Sequence, residues 1–405
     1  MPPRRLIQSP YDEINRGICL KMNMSVHQKR DRDTMKFVEA ENLKRGMRLA
    51  RPIYNKKGVL LFERDSKLSV QTIESVKNFG LLGVYILDAT EPLPPMSEED
   101  LEFERFQIAT GFSIQDELEK IQETGRQSRI DTIAARIIKN YGHLEGKISF
   151  YQNLRSRDDF VSRHSLNTAI FCAMITHVMN VKVDEQLQTV YAAIVHDIGK
   201  LQVPQNVLYG ADDEEGRRLE TIFQEQLAGL ELLENAFFGG ITIKRICQQA
   251  THAQREFETE GKLSANAKMS LGAKILMVAN RYDEITAMTL QGTSESEVKA
   301  IQEFVEHPDV YDPAVVNALL KSVNVLFPGV SVMLSTGERA LVLSENPENV
   351  LRPMVLIFGD NSILDLSMPD NDDIQVVDIL KTLDNRYIME DVNLEGGLPK
   401  EAQGK

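Results

Sequence analysis

The residues most able to do chemistry are His196 and Asp197, adjacent in the stretch His196-Asp197-Ile198-Gly199-Lys200. They offer a neutral nitrogen donor and a carboxylate, a pair suited to a divalent metal. Side chains one residue apart on a helix diverge by about 100°, so a shared ion requires the helix end to shape the site. Gly199 gives the helix a place to end. Lys200 lies three residues beyond Asp197, on the same face if the turn stays helical, where it can hold a phosphate oxygen beside a metal. By itself the dipeptide followed by glycine reads as a satisfied helix cap. His164 changes the balance: it lies near the start of an earlier apolar helix, and two antiparallel helices would bring both imidazoles together. His252 is a third imidazole, at the end of a further predicted helix. Asn280 and Asp283 sit on another helix with apolar neighbours, and there Asp283 reads as a solvated polar position.

The elements that must position these residues follow from the hydrophobic pattern. Residues 151–322 read as mostly helical: a buried helix with Val161, Leu166, Ile170 and Ile175, one opened by Asp184, then Leu219–Asn235, Ile241–His252 and Leu271–Met288. Ahead of them, residues 35–90 read as a small α/β module. It has a turn at Asn55–Gly58, a strand at Val59–Phe62, a helix Val70–Asn78 capped by Ser69, and a closing strand at Val84–Leu87. Pro92, Pro94 and Pro95 mark a boundary. Ser97 then starts a helical connector, placed at 91–150, which runs to about residue 127 and resumes at Ile130–Asn140. Its spaced Phe103, Phe106, Ile114, Leu118 and Ile121 suggest a homodimer seam. Residues 323–388 switch to short strands, with a hairpin turn at Ser335–Glu338. Residues 1–34 and 389–405 read as polar tails. The fold class is therefore mainly α: a helical bundle between a small α/β module and a strand-rich extension.

Composition narrows the partners. The chain has 405 residues, 42% of them hydrophobic, and a net charge of −14. That excess of acid excludes broad nucleic-acid binding, which needs basic surface, but not one locally basic pocket. The three cysteines include no Cys-x-x-Cys pair, so neither a zinc knuckle nor a disulfide framework is indicated. No apolar run is long enough to span a membrane, and no signal-peptide core follows Arg4 and Arg5. The expected location is a reducing cytoplasm. His143, His177 and His307 lack partners at useful spacing, Cys172 and Cys247 read as small core residues, and no Gly-rich phosphate loop occurs.

His164 followed by His196-Asp197-Ile198-Gly199-Lys200 resembles the HD superfamily of metal-dependent phosphohydrolases. More narrowly the chain resembles its HD-GYP branch, the cyclic di-GMP phosphodiesterases. Leu271-Gly272-Ala273 through Asn280-Arg281-Tyr282-Asp283 is similar to that branch's helix before its last metal ligand. Phe327–Glu338 with Arg352-Pro353-Met354-Val355 is similar to its C-terminal extension, and Leu43–Leu61 to a module found ahead of it. The likeness covers about residues 36–385. Laid on the family pattern without gaps, His252 takes the second position of a His-His-Glu motif. Thr251 and Ala253 replace its other members, and Thr259-Glu260-Gly261 stands where Gly-Tyr-Pro belongs. Glu225 replaces a further His, and Asn280 the late metal-binding Asp.

The resemblance implies metal-assisted hydrolysis of a phosphodiester. Its metal ligands would be His164, His196, Asp197 and His252, with Glu225 and Asn280 as weaker ones. Asp197 and Lys200 would act in catalysis, and Lys200, Arg163 and Arg255 would hold the substrate. The cofactor expected is one or two divalent ions, Fe, Mn or Zn, and the ligand a cyclic dinucleotide or related nucleotide. Four clear ligands suffice for one ion and are thin for two. Three functions stay open: a cyclic dinucleotide phosphodiesterase of bacterial signalling, a catalytically degenerate scaffold that senses a nucleotide or binds a protein partner, and an HD phosphohydrolase acting on another nucleotide.

Overall fold

The computed structural model describes residues 35–54, 60–79, 81, 83–87, 98–150, 159–208, 210, 216–264, 268–287 and 295–381. The two predicted tails, the turn at Asn55–Gly58, the Pro92–Pro95 break and Ser97 lie outside the described residues.

The N-terminal module holds strands β1 (Met35–Glu39), β2 (Arg48–Leu49), β3 (Ile53–Tyr54), β4 (Leu60–Phe62) and β5 (Gly83–Leu87), and one helix, α1 (Val70–Asn78). Ser69 accepts the Thr72 backbone N–H at 3.0 Å and so caps α1. β5 lies between β1 and β2, antiparallel to both, and β3 pairs with β4. Leu49, Ile53, Leu68, Val76, Val84 and Ile86 form a small core of their own. This module meets the next helix through a buried ion pair, Arg51 Nη1 to Glu104 Oε1 at 3.2 Å, with the guanidinium also over the Tyr85 ring.

The connector helices are α2 (Glu98–Thr124) and α3 (Ile130–Tyr141). The carboxylate of Glu117 clamps the turn between them, accepting hydrogen bonds from the backbone N–H groups of Ser128 and Arg129, the Ser128 hydroxyl and the Arg129 guanidinium at 2.7–3.0 Å. Phe106, Ile114, Leu118 and Ile121 are buried in the protein's own core. The apolar stripe that suggested a dimer seam is therefore consumed within the chain.

At the centre lies α4 (Phe160–Val178), buried at every residue from Val161 to Thr176. A helix apolar almost all round must be enclosed by others, and α4 packs against α2, α3, α5 (Val183–Val195), α10 (Leu271–Thr286) and α12 (Pro313–Ser322). Between these in sequence come α6 (Gln205–Leu208), α7 (Arg217–Leu230), α8 (Leu233–Ala236), α9 (Gly240–Glu260) and α11 (Glu297–Glu306). The single helix expected over 219–235 divides into α7 and α8. The helix expected to end at His252 runs on to Glu260, where Gly261 caps it with φ +69°.

The C-terminal strands β6 (Ser331–Leu334), β7 (Arg339–Ser344), β8 (Met354–Ile357), β9 (Ile363–Asp365) and β10 (Val376–Lys381) form one antiparallel sheet in the order β10-β6-β7-β8-β9. The predicted hairpin turn is present, with Gly337 at φ +82°. Val332, Leu334, Val342 and Val355 belong to the same continuous core as the helices, so the sheet closes one side of the bundle. The fold is mainly helical, with a strand module at each end, as expected.

Candidate metal centre

Three helices converge on one point. α4 supplies His164, the C-terminal end of α5 supplies His196 and Asp197, and α10 supplies Asn280 and Asp283. α5 stops at Val195, which leaves His196 as its cap and Asp197 at the entry to a short 3-10 turn, Ile198–Gln202. That break turns two adjacent side chains toward one place. Gly199 acts here through close approach rather than as a left-handed cap. A Cβ on it would lie 2.0 Å from the Glu225 carbonyl oxygen and 2.7 Å from the Gln226 Cα. Only glycine lets α7 lie this near, and the approach puts Gln226 Nε2 2.7 Å from Asp197 Oδ1.

The hydrogen bonds fix where the protons are. His196 Nδ1 lies 2.8 Å from the Ala193 carbonyl oxygen, which can only accept, so Nδ1 donates and Nε2 keeps its lone pair. His164 Nδ1 donates to Asp283 Oδ2 at 2.6 Å, which leaves its Nε2 free to accept. Asn280 Nδ2 donates to Glu284 Oε1 at 3.0 Å, which turns Oδ1 toward the two rings. The inward atoms are thus His164 Nε2, His196 Nε2 and Asn280 Oδ1. Asn280 Oδ1 is 2.8 Å from each ring nitrogen, and the nitrogens are 3.3 Å apart. Asp197 adds its carboxylate, 3.6 Å from His196 Nε2 and 3.7 Å from His164 Nε2. One donor atom from each of His164, His196 and Asp197 lies within 4.8 Å of the others. Acceptors crowded together need a cation or an extra proton between them. Imidazoles that give their outer N–H to a carboxylate and a backbone carbonyl have the support that metal-binding histidines receive.

The electrostatics agree with that need. Burial opposes charge on His164, yet the hydrogen bond and charge of Asp283, with the charge of Asp197, outweigh it and raise the imidazole pKa. In His196 burial wins and the pKa falls, which favours a neutral donor. Burial also opposes charge on Asp197, but the neighbouring His196, Lys200 and His164 hold its carboxyl well below the ordinary range. Lys200 Nζ lies 2.8 Å from Asp197 Oδ2, and despite the opposing effect of burial its pKa is raised, chiefly by that carboxylate. The cluster therefore carries one carboxylate already shared with an ammonium.

This cluster forms the floor of a cleft of about 460 Å³, inside the range of roughly 300–1,000 Å³ common to small-molecule sites. Its walls combine apolar Phe160, Ile222, Phe223 and Met277 with Arg218, Arg255 and Arg281.

The structure brings together His164, His196, Asp197, Lys200 and Asn280, and places Arg255 on the cleft wall, its guanidinium near Glu220 and over Phe223. It does not bring in the others. His252 is exposed and sits edge-on to the Phe223 ring, while Thr251 and Gln254 of the same helix line the cleft. Glu225 lies one residue out of phase: its carbonyl packs on Gly199 and its neighbour Gln226 faces Asp197. Arg163 is buried beneath the floor, bound to Asp159 at 2.7 Å and stacked over Phe112, and does not line the cleft.

Asp283 is the clearest correction. It is fully buried rather than solvated, because His164 and Asn167 from α4 supply its partners, the latter through Nδ2 at 2.8 Å. Sequence reasoning also missed Gln226, Glu284 and Asn167. Asn167 had a usable signal, since it stands one helical turn after His164.

Residues 149–315 match the model of the HD domain family. A cyclic di-GMP phosphodiesterase of Pseudomonas aeruginosa is 24% identical to this chain over 232 residues, which is 56% of this chain and 54% of that relative. The chain thus spans about half the length of the curated relative it matches. The match covers every helix that contributes to the centre, so the part of the chain that builds the centre is similar to the HD domain family and to a cyclic di-GMP phosphodiesterase.

Proposed function

We propose that this chain is a metal-binding, phosphodiesterase-like HD protein that takes a cyclic dinucleotide, cyclic di-GMP by analogy with its relative, and acts on the phosphodiester over the His164–His196–Asp197 centre. One observation carries the reading: four acceptor groups converge, the N–H groups of His164, His196 and Asn280 turned outward and the Asp197 carboxylate ionised. Two imidazoles, a carboxylate and an amide oxygen suit one ion of Fe, Mn or Zn. Such an ion would supply Lewis-acid stabilisation of a phosphate oxygen. The chain's own residues do the rest. Lys200, 2.8 Å from Asp197, lies at the cleft floor, where its ammonium can turn to a phosphate. Arg218 and Arg255 on the wall offset the negative charge of a dinucleotide. Phe223 and Ile222 offer apolar surface to a base.

A second reading has its own observation. The α7 and α9 wall brings neither His252 nor Glu225 to the cluster, so the donors suffice for one ion and not for a pair. One ion with a shared carboxylate favours binding over turnover, as in a sensor that retains its ligand.

Protein purified without added metal, assayed for metal content, cyclic di-GMP binding and cyclic di-GMP hydrolysis, decides between them. The expected result is about one equivalent of transition metal and metal-dependent binding. Hydrolysis lost in a His196→Ala, Asp197→Ala double variant establishes the enzyme. Binding without hydrolysis establishes the sensor. Metal below about a tenth of an equivalent, and none taken up on addition, removes both.

A further inference from the structure

A buried line of amides runs from the connector to the metal centre. Gln107 of α2 donates through Nε2 to Asn167 Oδ1 at 3.3 Å, and Asn167 donates through Nδ2 to Asp283 Oδ1 at 2.8 Å. Asp283 Oδ2 in turn accepts the proton of His164 Nδ1 at 2.6 Å. Gln107, Asn167 and Asp283 are each 2% exposed or less, so water cannot take over these bonds. Every link has a direction. An ionised carboxylate only accepts, so Asn167 must present its NH2 to Asp283 and its oxygen to Gln107. Gln107 can satisfy that oxygen only with its own NH2. The carboxylate at 283 thus sets the sense of the amide at 167 and, through it, the sense at 107; in return the two amides hold the carboxylate that selects the His164 tautomer.

We infer that Asn167 and Gln107 are positioning residues of the metal centre, acting through Asp283 to keep the Nε2 lone pair of His164 aimed at the ion. The inference rests on the metal reading above. It adds that the centre is incomplete without α2, a helix outside the residues that match the HD domain. Outer partners of metal-binding histidines typically change metal affinity by about 10–100-fold when lost. Asn167→Asp is nearly isosteric but sets two carboxylates against each other in a buried site. Asn167→Leu removes the donor to Asp283. Gln107→Leu acts one link further away.

Mn(II) affinity of the full chain, measured by titration on protein shown to be folded by circular dichroism, tests this. The expected order of loss is Asn167→Asp, at least 30-fold, then Asn167→Leu, about tenfold, then Gln107→Leu, about threefold. The paired exchange Asn167→Asp with Asp283→Asn restores every hydrogen bond and reverses only the one between 167 and 283, since the amide at 283 donates to the carboxylate at 167 and still accepts from His164, while Gln107 still donates to 167. It should recover at least tenfold over Asn167→Asp alone. The downfield proton resonance of His164 Nδ1–H gives a second readout that needs no metal, and Asn167→Leu should shift or broaden it. Folded variants that bind Mn(II) within twofold of the parent, with this resonance unmoved, would overturn the inference and leave the metal centre standing. A parent chain that takes up no Mn(II) overturns the metal reading itself, and the inference with it.

Discussion

The two walls of the cleft are built to different standards. On the α4, α5 and α10 side, each inward donor has a fixed partner behind it: Asp283 behind His164, the Ala193 carbonyl behind His196, Glu284 behind Asn280. On the α7 and α9 side, the residues expected to ligate are turned away. His252 is exposed against Phe223, and Glu225 stands one residue out of phase with Gln226. A donor without a partner behind it pays rotamer entropy to hold its place. The contrast therefore teaches that one half of the cleft is organised as a set of donors and the other is not. An ion bound to the organised half should be held by α4, α5 and α10 alone.

The strongest attack on this contrast is to empty the organised half. A His196→Ala, Asp197→Ala variant should lose metal affinity by at least about 100-fold, since it removes two ligands where one lost outer partner costs about 10–100-fold. Stability provides an independent measure. Metal that binds only the folded chain stabilises it by about 2.7 kcal/mol at 100 times Kd. The parent's denaturation midpoint should rise with added metal, and the variant's should not move. A midpoint that rises equally in both places the ion elsewhere.

The Glu117 clamp shows what a buried carboxylate looks like when the protein alone satisfies it. Glu117 collects four donors, and although burial opposes its charge, the Ser128 hydroxyl, the Arg129 and Ser128 backbone N–H groups and the Arg129 side chain lower its pKa from 4.5 to about 2. Its side chain is 1% exposed, so solvent screens little of this. The pKa is lower in the folded chain, so the stabilisation is complete above about pH 4.5 and is lost as pH falls toward 2. Glu117→Gln should cost about 2–3 kcal/mol at pH 7 and little near pH 2. Denaturant titrations at several pH values check this, and metal affinity should stay as in the parent. A cost that does not shrink toward acid removes the charge as its cause.

Asn280 is the weak member of the organised half, a neutral oxygen among acceptors. Asn280→Asp should raise metal affinity about tenfold, or about 1.4 kcal/mol, by adding charge 2.8 Å from both ring nitrogens. The same change faces Glu284 without the amide donor now 3.0 Å away, so the metal-free variant should be less stable than the parent. Calorimetric titration with Mn(II) and denaturation without metal measure the two effects. Unchanged affinity would mean that position 280 lies outside the ion's ligands.

How much of this was legible from sequence divides along the same line. Local signals survived folding: Ser69 caps α1, α3 starts at Ile130, and the Ser335–Glu338 turn joins β6 to β7. His164, His196 and Asp197 met as expected because two antiparallel apolar helices have few other ways to pack. Asp283 was misread because its burial depends on Asn167 and His164, which belong to another helix. His252 and Glu225 were misplaced for a geometric reason. One residue on a helix is about 100°, so a one-residue difference in phase moves a side chain from the cleft to the flank. The close approach of Gly199 to α7, which sets that phase at Gln226, is written in backbone contacts and not in spacing. The short strands β9 and β10 carry acidic residues, Asp365 and Asp378, that obscure their alternation.

The smallest expected effect is the most exacting test. If the α7 and α9 wall contributes no ligand, His252→Ala and Glu225→Gln should each change metal affinity by less than about twofold. The two sites are independent of the cluster, so the double variant should do the same. His252→Ala does remove a ring packed on Phe223 at 5.4 Å, an edge contact worth about 0.5–1.5 kcal/mol. Because Phe223 lines the cleft, cyclic di-GMP affinity should weaken a few-fold while metal affinity holds. The separation matters more than either number. A ligand role for His252 lowers metal affinity first and nucleotide affinity as its consequence, whereas a packing role moves nucleotide affinity alone. Parallel titrations of Mn(II) and of cyclic di-GMP at saturating metal read the two apart. A tenfold loss of metal affinity in His252→Ala would mean that α9 turns its imidazole inward when the ion binds, and that the two walls are more alike than their geometry here.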